Sequence, residues 1–377
     1  MLINELPDDC LLAILDYIQD LQDLINCFKV FEKWRDIIVH YTKKIKYLRN
    51  QPNYSPDYVY LHLKEPIDVT CLSTLFPNLR IAEFSYPLEV PIEDIVKLIR
   101  DSECLKGIIH YGANFKDPRL DFESIPENVS LEMLTTGYID RNMSGIYENV
   151  KQLHLLFSSL GLFERVAHRF PNLERLRIHA AEDLFEQPSV APVMANLKIF
   201  EINLPVDDWV TLCFSFMDKC PALQSAYIRF ESRRIVFNHL IKNANLLDLV
   251  IQFNEQIGWD KIRGLITKYP NLKHLALRGN TYFTDEDIME LLLVLPKLTL
   301  LDIRGSYGFT QAANHFQDYF KQYGRSIKFY FKRDDKQIEV DWPQSLNRPE
   351  KICRGFDFME HCFFKSFYYL PHFLDPI

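Results

Sequence analysis

Five arginines carry the most specific chemistry in this 377-residue chain. Arg278 and Arg304 stand 26 residues apart, and Arg229 precedes Arg278 by 49, close to two such intervals. Arg175 and Arg177 lie further upstream. A guanidinium is a rigid planar fork of donors, suited to gripping a carboxylate or phosphate through two parallel hydrogen bonds. A repeating unit that brings these positions into register would turn them into a column. Tyr227 and His274 fall close by in the same pattern and add a phenol and an imidazole. Such a surface suits an acidic or phosphorylated protein segment. Asp248 and Asp302 are placed to neutralise part of it, so an ordinary solvated face with a few ion pairs stays open as the other reading.

Other chemistry is not signalled. The chain holds no P-loop, nucleophile elbow, H-E-x-x-H string or dinucleotide fingerprint, so no catalytic residue and no cofactor is expected. Cys353, His361 and Cys362 match no common zinc spacing, and no metal is expected there. A net charge of −8 weighs against nucleic acid as a partner. Eight scattered cysteines without a C-x-x-C pair read as reduced thiols of the cytoplasm or nucleus. The first residues show no signal peptide, and no apolar run has the length of a membrane span.

The arginines must be positioned by a repeat. Leu173, Leu197, Leu223, Leu246, Leu272 and Leu298 follow one another at 24, 26, 23, 26 and 26 residues, each after a Pro-x or Asn signal. Each opens a Leu-x-x-Leu-x-Leu string, such as Leu272, Leu275 and Leu277, with Asn280 and Ser306 at the place of a buried asparagine. Alternation implies a short strand with one buried face, and the patterns between strings imply helices. Thr284 to Asp287 has the form of a capping box ahead of Ile288, Leu291, Leu292 and Leu295. Units that cannot bury their apolar faces alone stack into a solenoid. Earlier rungs are expected at Tyr58, Leu79 and Val150, with weaker ones at Leu105 and Leu131. The run resembles leucine-rich repeats over about residues 55–331. In that arrangement the arginines, Tyr227 and His274 face outward from a concave strand wall.

The N-terminal stretch reads as three short helices. Asp8 and Asp9 are placed to cap the first, with Leu11, Ile14, Leu15 and Ile18 on one stripe. Asp20 is placed to cap the second, and the third runs from Phe31 to Leu48. So small an interior leaves Leu6, Pro7, Leu12, Val30 and Trp34 partly exposed, and an exposed apolar surface marks an interface. The string is similar to an F-box, matching at Leu6, Pro7, Leu11, Leu12, Ile14, Leu15, Tyr17, Ile18, Asp23, Leu24, Val30, Trp34 and Arg35. Phe28 and Phe31 depart from it, being bulkier than the residues usual there. The resemblance implies contact with the Skp adaptor of a cullin-RING ubiquitin ligase through Leu6, Pro7, the first helix, Leu24, Val30 and Trp34. With the repeats, it implies a non-catalytic substrate receptor, or else an interaction scaffold that delivers no substrate.

The expected fold is therefore α/β: a three-helix F-box over 1–48, a curved leucine-rich-repeat horseshoe over 49–335 and a helical tail over 336–377. The tail is rich in aromatics, and Phe356, Met359, Phe363, Phe367 and Leu370 share a helical face. Two roles are open for it. It covers the last rung of the solenoid, or it folds back over the concave wall and shapes or blocks the substrate pocket.

Overall fold

The computed structural model describes residues 5–18, 20–30, 32–50, 55–60, 68–85, 90–111, 120, 122–126, 129–137, 139–180, 192–204, 210–308 except 234, 316, 320, 324–343 and 350–377. The chain divides into two compact units, 1–145 and 146–377.

The first unit opens with α1 (Asp8–Leu15), α2 (Leu21–Val30) and α3 (Glu32–Thr42). Pro7 stands at the α1 cap position and no side chain caps that end; Asp8 and Asp9 lie inside the first turn, where their charge faces the helix N-terminus. Asp20 does cap α2, its Oδ1 accepting from the Gln22 N–H at 2.9 Å and the Asp23 N–H at 3.2 Å. The third helix is shorter than its apolar spacing suggests. The Thr42 hydroxyl turns back to the Ile38 carbonyl and out to the Leu75 carbonyl, and the chain leaves the helix. Residues 47–49 then form a strand, β1 (Tyr47–Arg49), between β2 (Tyr58–Tyr60) and β3 (Ile81–Glu83). Parallel pairing continues through β4 (Gly107–Ile109) to β5 (Met133–Thr136), so both weaker rungs are real strands.

The second unit is a regular α/β repeat array of the leucine-rich type. Its strands are β6 (Gln152–Leu155), β7 (Arg175–His179), β8 (Ile199–Leu204), β9 (Ser225–Phe230), β10 (Asp248–Ile257), β11 (His274–Thr281), β12 (Leu300–Asp302) and β13 (Lys328–Tyr330). All pair parallel and in chain order. Register follows the repeat: Leu153, Leu176, Phe200, Ala226, Leu249, Leu275 and Leu301 are successive partners. The leucines that open the strings are buried, as a stripe facing the array interior must be. Each rung also binds the one before through converging amides, as where the Lys198 and Ile199 N–H groups reach the Glu174 carbonyl at 2.8 and 3.0 Å.

Helices lie between several strands. They include α4 (Leu72–Leu75) and α5 (Ile92–Asp101) in the first unit, and α6 (Leu160–Val166), α7 (Val210–Met217), α8 (Trp259–Ile266) and α9 (Asp285–Val294) in the second. The capping box of α9 is present: the Asp287 N–H donates to Thr284 Oγ1 at 3.2 Å, and the Thr284 N–H to Asp287 Oδ2 at 2.8 Å. Gly279 has a φ of +101°, and a Cβ there would collide with the Phe253 carbonyl oxygen. A glycine is required where β10 and β11 approach this closely. The Asn280 side chain lies outside the described residues; Ser306 shares a hydrogen bond with Thr281. Among the described residues no helix is long and apolar enough to cross a membrane.

Candidate functional site

On the N-terminal helices the matched residues divide by exposure. Leu11, Leu15 and Leu24 are buried within the unit, and Leu6, Leu12 and Ile18 are half-buried. Pro7 and Ile14 are exposed, and Val30 and Tyr17 are strongly so, at 59% and 90%. Trp34 corrects the sequence reading: it is 9% exposed and belongs to the interior. The α3 helix packs on both α1 and α2, so the stripe carrying Trp34 and Ile38 turns inward.

The strand wall of the second unit is occupied by the chain's own C-terminal segment. After a short helix, α10 (Gln337–Asp341), the segment forms β14 (Ile352–Arg354) and β15 (Phe373–Asp375), which pair with each other in parallel. Between them the chain makes a π turn at Met359–Phe363 and a 3-10 turn at Phe367–Tyr369. The regular helical face expected for this segment does not form. Instead Phe363, Phe367, Leu370 and Leu374 pack into one cluster with wall residues Ile199, Tyr227, Val250, Ala276 and Leu300. Wall-facing positions alternate with the buried leucines of each strand, so they are the same positions that would otherwise meet solvent.

Polar wall side chains bind the main chain of this segment. From β11, Arg278 donates to the Phe363 carbonyl and, at 3.0 Å, to the Lys365 carbonyl, which also accepts from Tyr227 Oη of β9 at 3.2 Å. On β7, Arg177 reaches the Phe367 carbonyl at 3.0 Å and the Leu370 carbonyl at 2.8 Å, while Arg175 reaches the Pro371 carbonyl at 2.9 Å and the His372 carbonyl at 3.3 Å. On β6, Gln152 makes a two-way pair with Leu374, donating to its carbonyl at 2.9 Å and accepting from its N–H at 3.1 Å. The segment thus crosses the wall from β11 to β6.

Carboxylates meet the charges of Arg175, Arg229, Arg278 and Arg304. Arg175 Nη2 sits 2.8 Å from Glu201 Oε2 of β8, both side chains being almost fully buried. Burial opposes the Arg175 charge, and Glu201 outweighs it. Asp302 accepts from Arg278 and Arg304, each at 2.9 Å. Burial alone would raise its carboxyl; the two guanidinium groups overcome that and hold it below the usual range. Arg229 pairs with Glu231 at 3.3 Å and donates to Asn203 Oδ1 and to Tyr368 Oη of the tail. His274 meets Asp248 through Nδ1.

Histidines mark the β6 end of the crossing. His154 Nδ1 lies 3.2 Å from His372 Nδ1. Burial, then Arg177, His372 and Arg175, keep His154 neutral far below the ordinary histidine range. Burial together with Arg177 and Arg229 lowers His179 to about 4. Among the described residues no group of three or more His, Cys, Asp or Glu side chains is placed to hold a metal.

Of the residues singled out by sequence, Arg175, Arg177, Tyr227, Arg229, His274, Arg278 and Arg304 do share one wall, and Arg278 and Arg304 are neighbours on Asp302. Their expected outward exposure is corrected: Arg175, Arg177 and Tyr227 are buried and the others half-buried, because the tail lies over them. Gln152 and Glu201 hold wall-facing positions of their strands, but residue type alone does not single them out as anchors. A further device stitches the rungs together. The asparagine before several repeat leucines bonds back one rung: Asn172 to the Glu148 carbonyl at 2.9 Å, Asn196 to Pro171 at 3.0 Å, Asn245 to Pro221 and Asn271 to Ala244, both at 2.7 Å. The Asn-Leu signal was visible; its role in stitching rungs was not.

No protein-family model matches the chain, and no curated protein matches it. Solved structures similar to it include an internalin from Listeria monocytogenes, at 13% identity and a TM-score of 0.34, covering 74% of this chain and 72% of that one. Another is TLR13 in complex with a single-stranded RNA, at 12% identity and a TM-score of 0.38, covering 84% of this chain and 49% of that one. The repeat architecture follows from the rung geometry of the chain itself.

Proposed function

We propose that the chain is the substrate-recognition subunit of a Skp–cullin–F-box ubiquitin ligase, acting in the cytoplasm or nucleus. In this reading α1 to α3 form the F-box that docks on the Skp adaptor, and the repeat array with its tail holds the substrate. The observation that carries it is the exposure of Pro7, Ile14, Tyr17 and Val30 on a helical module whose interior is formed by Leu11, Leu15, Leu24, Ile25, Trp34 and Ile38. Apolar side chains held out in this way suit a partner surface. The chain supplies no catalytic group; it contributes by holding a substrate lysine close to the charged ubiquitin carrier, which raises effective concentration.

One observation favours a second reading, an adaptor-binding scaffold that delivers no substrate: the wall is already filled by the tail. Reconstitution separates the two. Partners captured by the full chain from cell extract are presented again with adaptor, cullin, RING subunit and ubiquitin carrier. Ubiquitin transfer to a captured partner supports the receptor. Adaptor binding without transfer to any of them supports the scaffold.

A further inference from the structure

We infer that the strand wall is a peptide groove that reads main-chain carbonyls, that the tail is its resident ligand, and that a substrate segment carries the tail's apolar anchors rather than a phosphate. The inference rests on the receptor reading for the source of that segment. The groove and its chemistry stand on the contacts alone.

Seven tail carbonyls, of Phe363, Lys365, Phe367, Leu370, Pro371, His372 and Leu374, accept from wall side chains. These bonds ask only that the bound chain leave its carbonyls free, as an extended or turning segment does and a regular helix does not. They set the path without reading side chains. Selectivity falls to the apolar anchors, Phe363, Phe367, Leu370 and Leu374, which sit against Ile199, Tyr227, Val250, Ala276 and Leu300. Aromatic or large apolar residues at positions i, i+4, i+7 and i+11 are the pattern this wall accepts.

The wall's charge balance disfavours an acidic occupant. Arg175 already has Glu201, Arg278 and Arg304 share Asp302, and Arg229 has Glu231. At Arg175, Arg278 and Arg304 a phosphate would have to displace a carboxylate buried beside its arginine, leaving that carboxylate unpaired. A main-chain carbonyl uses the remaining guanidinium N–H groups and leaves each ion pair intact, as the tail does. In the intact chain the tail competes at an effective concentration of about millimolar, so a micromolar partner gains entry only when the tail is cut or its hold is weakened.

The test uses the whole chain with a site-specific protease sequence placed within residues 344–349. The folded protein is cut there, so the tail stays in place without a covalent tether. A fluorescent peptide of residues 350–377 is added, and its anisotropy is followed with unlabelled competitors. The inference expects the cut protein to stay folded by circular dichroism and the labelled peptide to exchange in. It expects the unlabelled peptide to compete, the Phe367→Ala peptide to compete at least about ten-fold less well, and a phosphotyrosine-containing acidic peptide without the anchors not to compete. Unfolding on cleavage, or no exchange of the labelled peptide, would show the tail to be inseparable core and overturn the inference. Equal competition by the acidic phosphopeptide would overturn the substrate class. No adaptor is present, so the outcome is independent of whether the N-terminal helices dock on one.

Discussion

The Gln152 side chain holds both main-chain polar groups of Leu374, 222 residues away in sequence, through bonds of 2.9 and 3.1 Å. A side-chain amide here does what a neighbouring strand would do for β15. Gln152→Ala leaves a buried N–H and a buried carbonyl without partners, a loss of about 1–3 kcal/mol. The expected outcome is lower protection of the Leu374 amide in hydrogen exchange, with a smaller change at Leu301 on β12.

Glu201 is the buried counter-charge of Arg175. Removing one member of such a pair strands the other in a medium that cannot solvate it. Glu201→Gln is expected to lower unfolding free energy by about 3–5 kcal/mol. Urea denaturation reads this as a lower midpoint at unchanged slope.

Acid should weaken the fold by a route set by histidines. Burial lowers His110 to about 4, and burial with Arg177 and Arg229 lowers His179 to about 4. Their unfolded counterparts titrate near about 6.5. Above that value both states are neutral and stability is flat. As pH falls through it the unfolded chain takes up protons that the folded chain refuses, and stability is lost until the folded groups protonate as well. At pH 5 each of the two contributes a loss of up to about 2 kcal/mol. His154, pushed down in the same direction, adds to it. Urea midpoints at pH 7, 6 and 5 check the slope, and His179→Gln should flatten it.

Stability and docking separate on the N-terminal helices. Trp34 is interior, so Trp34→Ala is expected to cost about 3–5 kcal/mol of folding stability and to lose any partner through unfolding. Val30 is exposed, and Val30→Asp should change stability by no more than about 0.5 kcal/mol. Thermal unfolding of the two variants gives the comparison.

The repeat array was legible in sequence because its signal is periodic and local. Leu173, Leu197, Leu223, Leu246, Leu272 and Leu298 recur at nearly equal intervals, and burial of each is demanded by stacking. The Thr284–Asp287 box and the Asp20 cap were legible for the same reason: each involves residues two or three apart. The path of the tail is not legible in sequence, because its contacts span up to 222 residues and leave no period. Its aromatics advertised burial but not the surface that buries them. Helical spacing of Phe363, Phe367 and Leu370 suggests a helix, yet Arg278 takes the Phe363 and Lys365 carbonyls and Arg177 the Leu370 carbonyl. Trp34 was misplaced on similar grounds, since a short apolar stripe does not say whether a sister helix or a partner protein will cover it.

The account's functional claim meets its most direct test in calorimetric titration of the folded full chain with purified Skp adaptor. The account predicts one-to-one binding, weakened at least about ten-fold by Val30→Asp and by Ile14→Asp, with the urea midpoint of Val30→Asp unchanged. A folded chain that gives no heat with the adaptor, or affinities untouched by both substitutions, would contradict it.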